Sequence, residues 1–188
     1  MEPSLPLAIR PARFEDAAAI HAVTQAAYGE YKDTPTPSMA TTETERLVAD
    51  GLRQGAFRAA VGEVDGRIVA AVRYKVTSNG LLFFRLAVHP EWRRQGFARA
   101  LVEWLAGEAS RLHTNRLWCQ VRLPVVRNVE FYRSAGFTIC GEHTILRNGH
   151  PVPVATMERK VREAVGATSG YLSPGYSRGS SVRGGEGE

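Results

Sequence analysis

The chain has 188 residues, 44% hydrophobic and 23% charged, and its 24 Lys and Arg against 19 Asp and Glu leave a net charge of +5. Such proportions fit an ordinary globular domain and exclude a fibrous repeat or a wholly disordered chain. No apolar run reaches the roughly 18 residues of a membrane span, Met1 to Arg10 lacks a secretory pattern, and two cysteines are too few for a disulfide framework or a zinc cluster, so a metal-free cytoplasmic domain is expected, with anionic partners for its basic surplus.

The pattern predicts a short strand over Leu7 to Arg10. A helix follows from Asp16 to about Gly29, with Ala19, Ile20, Val23 and Ala27 on one face. Pro35 and Pro37 break the chain. Thr42-Glu43-Thr44-Glu45 offers a capping box for a second helix ending near Arg53. Phe57 to Val64 and Arg67 to Thr77 form a hairpin about Asp65-Gly66, and Ser78-Asn79-Gly80 turns into an apolar strand, Leu81 to Val88, ended by Pro90. A helix from about Gly96 to Leu112 keeps Ala98, Leu101, Val102, Leu105, Ala109 and Leu112 on one side. Leu117 to Arg122 is a strand and Val125 to Ala135 a helix stopped by Gly136. Phe137 to Leu146 and Val152 to Met157 pair about Asn148-Gly149, leaving Val152–Met157 as an exposed edge. The order βααβββαβαββ implies a mixed α/β sheet containing one strand–helix–strand crossover. Residues 1–165 make this domain. Gly166 to Glu188 holds seven Gly, five Ser and one Pro, too little apolar surface to order itself, and is expected to be a flexible tail.

The most informative stretch joins Val88 to the helix at Gly96. A helix N-terminus has unpaired N–H groups and about half a positive charge. Arg93, Arg94 and Arg99 crowd it with no acid between them, the wrong sign for the dipole unless a phosphate is bound. Gly96 and Ala98 leave room for an anion to approach the backbone. The arginines sit at one loop–helix junction and are not interleaved with aromatics, so a phosphate pocket fits better than a nucleic-acid surface.

Arg93-Arg94-Gln95-Gly96-Phe97-Ala98 resembles the R/Q-x-x-G-x-G/A loop of the GNAT-type N-acetyltransferases, and Leu86-Ala87-Val88-His89-Pro90 resembles their strand end. Asn128-Val-Glu-Phe-Tyr-Arg-Ser-Ala-Gly-Phe137 is similar to their N-x-x-x-(Y/F)-Y-x-x-x-G-F helix. The resemblance spans about residues 7–160. It implies a GNAT-like acyl-CoA N-acyltransferase fold and transfer of acetyl from acetyl-CoA to a primary amine. By that resemblance the pyrophosphate sits on backbone N–H groups from Arg93 to Arg99, Gln95 included. The pantetheine arm runs along Leu86, Ala87 and Val88 and is bound by Asn128, and the Val88 N–H is an oxyanion donor. Tyr132 is the acid for the leaving thiolate, and a phenol of reference pKa about 10 is protonated at neutral pH.

An ammonium of pKa about 10.4 is largely protonated at pH 7, a deficit of about 4.6 kcal/mol. Leu81 to Val88 contains no acid to relieve it; Arg85 is its only charged residue. Glu30, His143 or ordered water are the alternatives. Tyr28, Glu30 and Tyr31 are expected to line the acceptor site, fitting a cationic, partly apolar amine. Trp118 and Cys119 alternate across their strand, and both cysteines are expected to be buried. With no cysteine in either motif, direct transfer in a ternary complex is expected, in a monomer or homodimer. The rival reading is a non-catalytic acyl-CoA sensor.

Overall fold

The structure is a computed structural model and describes residues 6–162; the expected tail lies outside them. Its elements are β1 (Ala8–Pro11), α1 (Ala17–Tyr28), α2 (Glu45–Arg53), β2 (Arg58–Val64), β3 (Arg67–Thr77), β4 (Gly80–Val88), α3 (Phe97–Arg111), β5 (Arg116–Arg122), α4 (Val126–Ser134), β6 (Thr138–Arg147) and β7 (His150–Lys160). The seven strands form one sheet in the order β1-β2-β3-β4-β5-β7-β6. All neighbours are antiparallel except β4 and β5, which α3 connects as the expected crossover.

Strand alternation divides the core between the two sheet faces. On one face, Leu101, Val102, Leu105 and Ala109 of α3 pack with Val72, Tyr74, Leu81, Phe83 and Leu117. On the other, Ile20 of α1 and Val48 of α2 meet Ala59, Val61 and Ala71. Each large aliphatic side chain so buried contributes about 1.5–3 kcal/mol. β3 carries both patterns: Val72 and Tyr74 face α3, whereas Ala71 and Arg73 face the opposite layer. Arg73 is 1% exposed and pairs with Glu43 at 2.7 Å, with its guanidinium over the Phe57 ring.

Two expectations change. The cap of α2 is Thr44, whose side chain accepts from the Leu47 N–H; Thr42 instead closes a 3-10 turn, Met39–Thr42, by donating to the Met39 carbonyl. That turn uses the residues the capping box needed, so the helix starts two residues later and the reciprocal Glu contact is absent. Nor is Val152–Met157 an edge. β7 enters between β5 and β6, pairing on both sides, and the exposed edge on that flank is β6.

Candidate active site

β4 is the centre of the site because it is irregular. Its register with β3 shifts between the Ala71 and Arg73 pairings, with Ala71 opposite Ala87 and Arg73 opposite Phe84. Arg85 takes φ of 54°, in the left-handed region that non-glycine residues seldom enter. The extra residue reverses parity. Leu81 and Phe83 face α3 before the bulge, Leu86 and Val88 face it after, and Ala87 turns to Val23 and Ala27 of α1. On its other side β4 pairs with β5 at only two positions, Leu81 with Leu117 and Leu82 with Trp118. Beyond them the strands part, opening a gap over the second half of β4. His89 donates its N–H to Val69 at 2.9 Å. Since N–H groups alternate in direction along a strand, that of Val88 points away from β3 and into the gap. The Leu86 carbonyl, on the same side, accepts from the Tyr28 hydroxyl at 3.3 Å.

One wall of the gap is the start of α3. Gly96 is its N-cap at φ +82°, a conformation that favours glycine, and a Cβ there would meet open space. The first N–H bonded into the helix is that of Ala100, to the Gly96 carbonyl at 3.0 Å; those from Arg94 to Arg99 have no backbone acceptor among the described residues. Val88, Arg94, Gly96, Ala98 and Phe131 line one cavity here, in which Phe97 turns its ring into the core against Trp92. This cradle fits a pyrophosphate: a run of free N–H donors, a helix dipole of the right sign and no side chain over the glycine. The arginine side chains are partly committed elsewhere. Arg93 reaches the Ala27 carbonyl and Glu30, and Arg99 clamps the Ser134 carbonyl and hydroxyl.

Tyr132 is held from α4. The helix ends in a Schellman arrangement, with Phe137 N–H donating to the Tyr132 carbonyl and Gly136 N–H to that of Arg133, both at 3.0 Å, and Gly136 at φ +86°. The Phe137 ring then packs on the Tyr132 ring at 5.6 Å, and Phe83 and Phe131 add contacts at 5.7 and 5.0 Å. The hydroxyl has no hydrogen-bond partner among the described residues, and the residue lines two adjoining cavities together with Tyr28, Tyr31, Leu86 and Asn128. Burial, and then the neighbouring Cys119 and Tyr28, push its phenol well above its usual value, so it stays protonated through neutral pH.

Glu30 lines the first of these cavities beside Tyr28 and Tyr31, but its charge is already met. Its carboxylate is 2.6 Å from Arg127 and 3.3 Å from Arg93. Burial pushes its pKa up, and the Arg127 hydrogen bond with the charges of both arginines outweighs that and holds it below the ordinary carboxylate range. Arg127 also donates to the Tyr31 hydroxyl, so this group pins the end of α1 to α4. His143 is exposed on β6 and lines neither cavity. Cys119 is buried in the core, where burial raises its thiol pKa, whereas Cys140 is exposed, because β6 is the outer strand.

The structure therefore gathers Tyr28, Glu30, Tyr31, Leu86, Val88, Arg93, Ala98, Asn128 and Tyr132 around one cleft. Sequence reading missed Arg127 and Arg122. The latter binds the Thr36 and Pro37 carbonyls and so fastens the loop after α1 to β5. Neither carries a local signal, since its partners lie far off in sequence.

A β4–β5 gap facing a phosphate cradle defines a coenzyme-binding acyltransferase fold, and residues 20–137 match the Acetyltransferase (GNAT) family. The chain belongs to that family. The ribosomal protein bS18-alanine N-acetyltransferase of Escherichia coli K12 is 34% identical over 87 residues, covering 46% of this chain and 57% of that protein. The Haemophilus ducreyi enzyme of the same name is 30% identical over 99 residues, 53% and 66% of the two chains. The chain thus matches less than two thirds of the length of these curated relatives. The crystal structure of the Escherichia coli enzyme superposes with a TM-score of 0.68 at 21% identity, covering 87% of this chain and 98% of that one. A Salmonella typhimurium protein solved with its cofactor acetyl-CoA gives 0.67 at 19%, covering 87% and 99%. At such identities these structures establish the fold.

Proposed function

We propose that this chain is an acetyl-CoA-dependent N-acetyltransferase acting on a primary amine by direct transfer. The observation that carries the reading is the meeting, in one cleft, of a free Val88 N–H in the strand gap, the unpaired N–H groups at the start of α3 and a protonated, hydrogen-bond-free Tyr132. Acetyl-CoA supplies an activated acetyl thioester. The α3 cradle binds its pyrophosphate, and Asn128 and the open edge of Leu86 to Val88 take the pantetheine amides. Val88 N–H stabilises the negative charge that develops on the carbonyl oxygen as the amine attacks. When the carbon–sulfur bond breaks, Tyr132 donates its proton to the departing sulfur. The amine's own proton leaves to solvent: among the described residues the only carboxylate lining these cavities, Glu30, is ion-paired.

The N-terminal amine of a protein is one acceptor of the right kind, given the names of the relatives, and a small amine is another. Initial rates measured while varying acetyl-CoA and amine together test direct transfer. Intersecting double-reciprocal lines are expected; parallel lines with a trapped acetyl-enzyme would overturn it. Binding of acetyl-CoA without turnover of any amine would favour the sensor reading.

A further inference from the structure

The acceptor end of the cleft is lined by cations from separate strands. Beyond Tyr132 lies a cavity of 360 Å³ that shares Phe83, Phe84, Arg85, Gln120 and Arg122 with the second of the two cavities Tyr132 lines. It shares no lining residue with the phosphate cradle. Lys75 of β3, Arg85 of β4, Arg122 of β5 and Arg147 of β6 all reach it, and among the described residues no acidic one does. Neither Glu43 nor Glu30 lines it: Glu43 pairs with Arg73 through one oxygen, and Glu30 with Arg93 and Arg127. Arg122 and Lys75 are partly satisfied, by the Thr36 and Pro37 carbonyls and the Phe84 ring. Arg85 and Arg147 are not: the Nε of each is buried and has no acceptor among the described residues. Three guanidinium groups are thus collected in one pocket without a counter-charge among the described residues, and Arg85 occupies a left-handed backbone position. Burial, and then the charges of Arg147 and Arg85, depress the pKa of Arg122, as expected for like charges crowded together.

We infer that the acceptor is an amine carrying an anionic group, a carboxylate or a phosphate, which Arg85, Arg147 and Arg122 bind while its amino group faces Val88 and Tyr132. This rests on the acetyltransferase reading and adds the acceptor's charge to it. It also reverses the sequence expectation of a cationic acceptor, which relied on Glu30. The arrangement has a second consequence. A positive field disfavours an ammonium, so the cluster that holds the anion also favours the free amine that must attack, in a cleft with no free carboxylate base.

The test compares amines matched in backbone but not in charge, by thiol release from acetyl-CoA: β-alanine against propylamine, O-phosphoethanolamine against ethanolamine, and putrescine as a second cation. A parallel arm uses peptides with a free N-terminal alanine followed by two aspartates or by two lysines, which separates a small-molecule source of the anion from a protein one. The anionic member is expected to exceed its counterpart in kcat/KM at least tenfold in one arm, with the advantage shrinking as salt rises. Arg147→Gln, on the edge strand where folding is least at risk, should cut that ratio at least fivefold through KM while acetyl-CoA affinity stays as in the wild type; Arg85→Gln should do the same. If nothing turns over, calorimetry of the same amines into the coenzyme A-loaded protein decides, tighter binding of the anionic members supporting the inference and equal binding overturning it. The cationic or neutral members matching or beating their anionic counterparts in both arms, small amines and peptides alike, would also overturn it. Failure of the underlying reading looks different: acetyl-CoA does not bind, or it binds while no amine is either acetylated or bound.

Discussion

The two ends of the cleft are built by different means. The end proposed for the coenzyme is made of backbone: N–H groups at the start of α3 without a backbone acceptor among the described residues, a strand edge exposed where β4 leaves β5, and a glycine with nothing over it. The end proposed for the acceptor is made of side chains on four strands and a loop that arginines hold in place. A backbone site depends on local conformation, so one residue can destroy it. A side-chain site distributes its binding over several residues, so single changes shift preference rather than abolish function.

Substitutions can break that contrast at graded cost. Gly96→Glu puts a side chain with the wrong charge into the phosphate approach, at a position where any L-residue is strained by about 1–2 kcal/mol. Acetyl-CoA binding by calorimetry should be lost, while Gly96→Ala serves as the folding control; unchanged affinity in the glutamate variant would refute the cradle. Tyr132→Phe removes only a hydroxyl that has no hydrogen-bond partner among the described residues. It should leave binding intact and lower kcat about 100-fold, the usual scale of a general acid. Because burial raises this phenol's pKa, no loss of acid catalysis should appear in the kcat profile on the alkaline side below pH 10.

Smaller effects test the scaffold of the acceptor end. Thr44→Ala should cost about 1 kcal/mol in denaturant unfolding by removing the α2 cap, and Thr42→Ala clearly less. Equal effects would contradict the assigned cap. Glu30→Gln should cost at most about 1 kcal/mol, since the pair is partly exposed and screened. Glu30 has its pKa lowered in the fold, so its contribution is present above the usual carboxylate pKa near 4.5 and is lost as pH falls through the lower folded value. Melting curves of wild type and variant should therefore converge in acid.

The difference between the ends also explains what the sequence made legible. Gly96, the apolar spacing of α3 and the Gly136 stop are local signals, and they placed the cradle, its helix and Tyr132 with every element in its order. The Arg85 bulge left a trace, one charge in an apolar strand, but its parity reversal depends on pairing with β3. Arg127 with Glu30, Arg122 with Thr36, and the insertion of β7 between β5 and β6 join segments distant in sequence. No periodicity reports such contacts. The cationic pocket proposed for the acceptor needs four strands aligned before its charge can be seen at all.

The most direct measurement is a calorimetric titration of the wild-type protein with acetyl-CoA, followed by primary amines with free thiol monitored. Saturable binding, with thiol release that requires an amine and falls about 100-fold in Tyr132→Phe, is the predicted result. An absence of acetyl-CoA binding, or thiol release that neither needs an amine nor responds to Tyr132, would contradict it.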